Sequence, residues 1–442
     1  MRLTGAWEVH PGSAARRERS IASLARARFR RSSAVRAGVF AVALIVVAEG
    51  AVLLLAPREE GIPPADVAEG EFLDAGQVER AVSYRDGQRL LLLFGLGLQV
   101  VAVGALAVGR PRAARRALER AARRPLLGAA AAGVVVVAVA ELAALPTSIA
   151  AHERAVDAGI STQSLGPWLG DQARGLAISA AIAALGAVAL AALIRRHPRR
   201  WWIPGTAAVV GFGAAMTLLS PILIAPRFND FEELPEGSAL RDDVLELGRR
   251  AGVDVGEVYR VDASRRATSL NAYVAGLGPT KRVVLYDTLI DDAERPELES
   301  VVAHELGHVA HSDIPRGITF AALVAPLGLL LVRELSTGLG RRAGAEPGTP
   351  AAIPALFLAI AVVSFAVNIA GNQLSRKVEA SADAFALRIT DDPRALIGLQ
   401  TRLAERNLSD PDPPAIARVL FGTHPTTLER IGSALAWERG ER

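Results

Sequence analysis

A mostly α-helical membrane protein carrying a small α+β unit outside the bilayer is the fold class this sequence predicts. Three observations carry the prediction. Hydrophobic residues make up 51% of the 442, although 22% are charged; the apolar residues gather into seven long runs; and one polar stretch between the runs mixes helical and strand-like patterning. Mean hydropathy is +0.28, too apolar for a soluble enzyme with so many charges.

Residues 1–34 read as a basic arm. The polar start is long and the apolar run behind it is long enough to stay in the bilayer, so a cleaved signal peptide does not fit. Residues 35–224 hold five predicted spans, at 35–56, 90–108, 126–145, 176–194 and 201–224. Residues 225–316 are the first part of the polar unit. Residues 317–372 return to the bilayer with spans at 318–332 and 353–369, and 373–442 form the second part of the unit. The sixth span is short and carries Pro326, so it needs neighbours to cover its freed backbone. No internal repeat relates the spans, and 344–350 is a Gly- and Pro-rich loop.

Arginine placement predicts the topology. Eight arginines lie between Arg16 and Arg36, seven between Arg110 and Arg124, four at Arg195, Arg196, Arg199 and Arg200, and three at Arg333, Arg341 and Arg342. With seven spans all four clusters fall on one side, whereas the loops at 57–87 and 147–175 are acidic or nearly neutral. The positive-inside rule puts the amino terminus in the cytoplasm and the polar unit on the extracytoplasmic side, in what is expected to be a bacterial cell membrane. The pI near 9.9 is thereby explained without nucleic acid, since the basic residues cap apolar runs rather than interleave with aromatics. There is no cysteine, so any metal must use histidine and carboxylate.

In the polar unit, 240–251 has a helical pattern, 255–261 and 283–286 read as strands, and 271–278 as strand then turn. A further helix is expected from Pro296, with Glu297 and Glu299 in its first turn and Leu298, Val301 and Val302 as its buried stripe. That helix carries His304-Glu305-Leu306-Gly307-His308. At 3.6 residues per turn the two imidazoles lie about 40° apart on one face, so both can hold one Zn2+ while Glu305 stands beside it to activate water.

Zinc then needs a further protein ligand. His311 is seven residues beyond His304, a rise of about 10 Å, which takes it out of reach while the helix persists. Glu379 and Asp383, four apart in a helix-compatible run, suit a carboxylate ligand with a partner that fixes a histidine ring; the same spacing also suits a solvated acidic face. His424 and Arg430, taken alone, read as surface residues.

Together these residues resemble the type I CAAX prenyl proteases and their bacterial relatives, integral-membrane zinc metallopeptidases of the gluzincin group. The likeness rests on His304 to His308, Arg376 to Phe385, Ser269 to Tyr273, Arg282 to Leu289, Pro226 to Asn229 with Leu234 to Gly237, and Thr423 to Pro425 with Arg430. Gly159 to Leu165 with Trp168 and Asp171 fits as well, so the resemblance runs from about the first span to the last helix. It implies seven transmembrane helices enclosing a chamber and a zincin-like α+β metallopeptidase domain. It further implies His304, His308 and Glu379 as zinc ligands, Glu305 as general base, and Asp383 as acid or ring-orienting partner. His424 and Arg430 would assist the substrate carbonyl or oxyanion, and Asn271, Ala272, Tyr273 and Val274 would form the edge on which a peptide lies. In such a chamber Glu49 and Glu141, inside apolar spans, would line water. Two departures stand out: the basic arm is extra, and His311 comes two residues before the histidine often found after the motif. The best-known eukaryotic members also turn their catalytic side to the cytosol, opposite to the side these arginines indicate.

The expected function is zinc-dependent endopeptidase action on membrane-associated polypeptides, with prenylated CAAX-type chains among the candidates. Peptide or membrane-protein substrates and the lipid bilayer are the expected partners, and a monomer is compatible with all of this. The rival readings are a non-proteolytic membrane chaperone or scaffold, an intramembrane-cutting zinc protease, whose motif would lie in an apolar span, and a transporter.

Overall fold

The computed structural model describes residues 34–109, 112–276 and 281–441. The basic arm expected at 1–34 lies outside the described residues except for Ala34. Among the described residues, seven helices are long and apolar enough to cross a membrane. They are α1 (Ala34–Leu55), α3 (Ala75–Gly104, continued by a π turn, Ala105–Gly109), α5 (Pro125–Asp157), α6 (Leu165–Arg196), α7 (Trp202–Leu223), α11 (Asp313–Arg342) and α12 (Ile353–Thr390). Two short helices, α2 (Glu69–Phe72) and α4 (Arg112–Ala121), sit in the connections.

Most of these helices are longer than the apolar runs that announced them, because helical hydrogen bonding continues through polar turns at the bilayer's edge. Helix α11 passes straight through Pro326 for 30 residues. Helix α12 runs unbroken for 38 residues, so the boundary drawn at 372/373 falls inside one rod about 57 Å long.

The spans form a ring. Helix α5 packs along α3 and α6, α6 meets α7, α7 lies along α11, α11 along α12, and α12 returns to α3 and α5. Much of the surface of each span is left uncovered by protein, and Trp202–Arg227 has no buried residue in its most apolar stretch. Helix α1 braces the ring, with Leu44, Ala48 and Val52 in one cluster with Phe320 and Val324 of α11 and Leu356 and Val363 of α12.

Without a hydrophobic drive between helices in lipid, close contact comes from small residues. The α5–α6 seam uses Ala129, Ala132 and Gly133 against Ala183, Ala187 and Ala191, and a Cβ on Gly133 would stand 2.7 Å from the Ala183 carbonyl oxygen.

The polar unit contains a four-stranded sheet of order β1-β2-β4-β3: β1 (Phe231–Glu233), β2 (Glu257–Val261), β3 (Ala272–Ala275) and β4 (Arg282–Tyr286). Strand β2 pairs parallel with β4, and β3 pairs antiparallel with β4 and forms one edge. Helix α8 (Ala239–Arg250), the short α9 (Asp287–Asp292) and α10 (Arg295–Ala310) pack with the sheet through Val244, Leu247, Leu289, Leu298, Val302 and Leu306 against Val258, Val283 and Leu285. The helix expected from Pro296 starts one residue earlier. Glu297 accepts the Glu294 backbone N–H at 2.9 Å and is gripped by Arg402 at 2.6 and 3.2 Å, which pins α10 to α13 (Pro393–Arg406). Helices α14 (Ala415–Phe421) and α15 (Thr427–Glu438) complete the unit.

Loops from the ring strap this unit in place. After α1, Ala65 N–H donates to the Gly432 carbonyl at 3.1 Å, Ser433 Oγ donates to the Ile62 carbonyl at 2.8 Å, and Glu59 pairs with Arg388. After α5, Thr162 N–H donates to the Arg266 carbonyl at 3.1 Å, and Arg266 Nε returns to Asp171 on α6 at 2.9 Å. From α3, Arg89 reaches Asp410 at 2.6 Å. These straps come from the end of the ring opposite Arg199, whose carbonyl accepts from Arg333.

Gly133→Val is expected to destabilise the protein by about 1–3 kcal/mol through overpacking of the α5–α6 seam. It should bring thermal aggregation in detergent to a lower temperature. Gly186→Ala, whose added methyl meets nothing within 4 Å, should leave that temperature nearly unchanged.

Candidate metal centre

Two helices build the centre, and a glycine sets their separation. The Leu298, Val302 and Leu306 side of α10 faces the sheet, while His304 and His308 face α12. A Cβ on Gly307 would come within 3.2 Å of the Phe385 ring and 3.3 Å of the Ala382 Cα, so the fourth residue of the motif lets α10 approach α12 closely. Glu379 and Asp383, one turn apart on α12, then come within reach of His304.

His304 Nε2 is 3.2 Å from Glu379 Oε2 and 3.2 Å from His308 Nε2, and His308 Nε2 is 3.7 Å from Glu379 Oε1. Donors held about 2.0–2.1 Å from one tetrahedral ion stand about 3.3 Å apart, close to the separation of the two nitrogens and of His304 from the nearer Glu379 oxygen, and one ligand atom from each residue lies within 4.8 Å of the others. The other ring nitrogens agree. His304 Nδ1 is 2.8 Å from Asp383 Oδ1, and His308 Nδ1 is 2.9 Å from Asp313 Oδ2. An imidazole that donates through Nδ1 to a carboxylate leaves Nε2 as a bare lone pair. Two such lone pairs and a carboxylate facing one another repel unless a cation lies among them, so the residues fit a divalent metal.

The carboxylates around the trio draw positive charge to it, whether from a proton or from a metal ion. Burial pushes the His304 imidazole down, but the Asp383 and Glu379 carboxylates outweigh it and hold the group up at about 10. Burial lifts the Glu305 carboxyl above its ordinary value, against the pull of His304 and His308. Asp383, only 2% exposed, is held by Arg430 through Nε at 2.8 Å and Nη2 at 2.6 Å.

The structure brings His304, His308 and Glu379 together, with Glu305 half-buried beside them. His424 stands at the rim, 55% exposed, with Nε2 3.3 Å from Glu379 Oε2 and Nδ1 2.8 Å from the Thr423 hydroxyl. Arg430 lies behind His304, bonded to Asp383, rather than at the rim with His424. Ala272 to Val274 lie in the edge strand β3, and Asn271 just precedes it, its carbonyl accepting from the Tyr286 N–H at 3.1 Å. His311 caps the end of α10 and turns away, with Nδ1 3.2 Å from Ser381 Oγ and Nε2 3.4 Å from Glu59.

Asp313 escaped the sequence reading. It opens α11, five residues past His308, and ties a candidate ligand to the start of a membrane span. An acid five residues past the second histidine was the available signal, but only the turn at His311 and Ser312 brings it back to the ring; Ser312 adopts φ 56°.

A His-Glu-x-x-His helix and a carboxylate from a second helix, mounted on a ring of membrane-length helices, define an integral-membrane metallopeptidase. Comparison with known proteins narrows the class. Residues 236–438 match the family model described as Peptidase family M48, and residues 72–230 match that of the CAAX prenyl protease N-terminal region with five membrane helices. The chain belongs to the M48 membrane metalloproteases that comprise the type I CAAX prenyl proteases and their bacterial relatives. It is 29% identical over 381 residues to the uncharacterized metalloprotease YhfN of Bacillus subtilis, covering 85% of this chain and 89% of that protein. It is 34% identical to the CAAX prenyl protease 1 homolog of Arabidopsis thaliana across 49% of this chain, and spans about half (51%) of that relative. The crystal structure of S. mikatae Ste24p shares the fold, with a TM-score of 0.72 over 91% of this chain and 98% of that one at 18% identity.

Asp313→Asn should weaken metal binding by about 10–100-fold, the usual cost of losing a ring-orienting carboxylate. Competition with a fluorescent chelator would measure it, and unchanged affinity would remove Asp313 from this role.

Proposed function

We propose that this metalloprotease is a zinc endopeptidase that cuts membrane-associated polypeptides. His304 Nε2, His308 Nε2 and the Glu379 carboxylate carry the reading, with 3.2 Å between the nitrogens, 3.2 Å from His304 to Glu379 Oε2 and 3.7 Å from His308 to Glu379 Oε1. These three residues would hold Zn2+, which when bound polarises a scissile carbonyl and acidifies water. Histidine and carboxylate donors without thiolate suit zinc, with one face left open towards His424.

Glu305 is assigned the proton transfers. It takes the proton of the attacking water and delivers it to the leaving amine, and its raised affinity for protons suits a group that must do both. Asp383 and Asp313 keep the two imidazoles in the tautomer that presents Nε2, and Arg430 keeps Asp383 in place. His424, exposed at the rim, is assigned to the carbonyl oxygen as charge develops there. The edge strand, with Asn271 before it, offers unpaired backbone groups to an extended peptide beside α10.

The ring supplies the membrane part of the reading. Carboxylates in its apolar spans have polar neighbours. Gln373 on α12 donates to Glu49 at 3.0 Å, and Glu141 lines a groove of about 380 Å³ with Ser148, Gln172 and Ser179. The metal unit is assigned to the extracytoplasmic side, since the straps that hold it come from the arginine-poor ends of the spans. Whether substrates carry a prenyl group is left to the trapping experiment below; nothing favours the scaffold reading over the hydrolase.

Glu305→Gln should retain about one zinc per chain and lose at least about 100-fold in turnover of β-casein, and polypeptides that co-purify with it would reveal the substrate class. Turnover equal to wild type would refute the assigned base. A reporter fused after Arg442 should be active only if it functions outside the cytoplasm; cytoplasmic activity would reverse the orientation.

A further inference from the structure

His424 is poorly packed for a residue with a task. Its side chain is 55% exposed, and its place 3.3 Å from Glu379 therefore depends on what holds the turn around it. Downstream, α15 begins with a reciprocal cap: Glu429 N–H donates to Thr426 Oγ1 at 3.1 Å, and Thr426 N–H donates to Glu429 Oε2 at 2.8 Å. Upstream, α14 is seven residues long; the Gly422 N–H donates to the Arg418 carbonyl at 2.9 Å, and the carbonyls of its last residues lie past the reach of helical bonding.

The end of α14 is held from α12. Arg376 Nη1 donates to the Gly422 carbonyl at 2.6 Å and to the Arg418 carbonyl at 3.2 Å, and Asn372 Nδ2 donates to the Leu420 carbonyl at 3.0 Å. Asn372, Arg376, Glu379 and Asp383 follow one another at spacings of four, three and four residues, so they form a single polar stripe on α12. The upper half of the stripe faces the metal trio and His304, and the lower half grips the end of α14. One rigid helix thus sets both the Glu379 carboxylate and the turn that carries His424.

We propose that Arg376 is a positioning residue for the peptidase reaction: by clamping the Gly422 and Arg418 carbonyls it fixes His424 over the open face of the metal site. The inference rests on the hydrolase reading for what His424 does, but the clamp itself can be tested apart from activity. Arg376 touches neither the proposed ligands nor Glu305, so its loss should leave metal content intact and lower kcat with little change in KM.

The full chain, which contains no cysteine, is suited to a site-directed spin label. A label at Val419→Cys on α14 should give a constrained spectrum that becomes mobile when Arg376→Gln is added and regains constraint with Arg376→Lys. An unchanged spectrum in Arg376→Gln would overturn the clamp. In β-casein turnover, Arg376→Gln and His424→Ala should each lower kcat by a similar factor, and the double variant should be no slower than His424→Ala alone, with one zinc per chain throughout. Multiplied losses in the double variant, or loss of zinc in Arg376→Gln, would overturn it equally. If the wild type neither holds zinc nor cuts β-casein, the hydrolase reading fails, and the label spectrum still decides whether Arg376 holds the turn.

Discussion

The arrangement at the centre depends on a single buried carboxylate. Asp383 is almost wholly enclosed, and an ion in that position is tolerated only with its charge matched and its lone pairs filled. Arg430 matches the charge and His304 takes the remaining contact. That requirement reaches outward: Arg430 belongs to α15, α15 lies against α13 and the strap after α1, and the strap is an extension of a membrane helix. The His304 ring is therefore oriented by a chain of contacts that begins in the bilayer.

Charge and packing divide the work between the two halves of the protein. In the ring, association rests on alanine and glycine seams such as Gly133 against Ala183, which need no polar groups. In the unit outside, an ordinary aliphatic core of Val258, Val283, Leu285 and Leu306 fixes α10 on the sheet, and ion pairs such as Glu297 with Arg402 fix its start. Helix α12 is shared by both. It packs through Leu356 and Val363 among the spans and presents Glu379 and Asp383 beyond them.

What could be read in the sequence was what repeats locally. The seven spans, three of the four sheet strands and the metal helix each declare themselves in composition or period, whereas β1 is too short to do so, and the pairs His304 with His308 and Glu379 with Asp383 are visible because four residues make about one turn. The groups that hold these in place were not visible. Asp313 reaches His308 only through the left-handed turn at Ser312, Arg376 acts on carbonyls more than forty residues away, and Glu59 meets Arg388 across most of the chain. None of these has a sequence spacing that implies contact. The helix ends were also hidden, because polar residues beyond an apolar run extend a helix without adding to its hydropathy.

The unbroken course of α12 makes it a ruler. Glu379 stands ten residues past Ile369, where the apolar run ends, a rise of about 15 Å along the rod. An extended polypeptide covers that distance in about five residues. For the proposed peptidase, a chain anchored at that edge of the hydrocarbon would offer the site a bond roughly five residues from its anchor, so that the length of one helix would set where a substrate is cut.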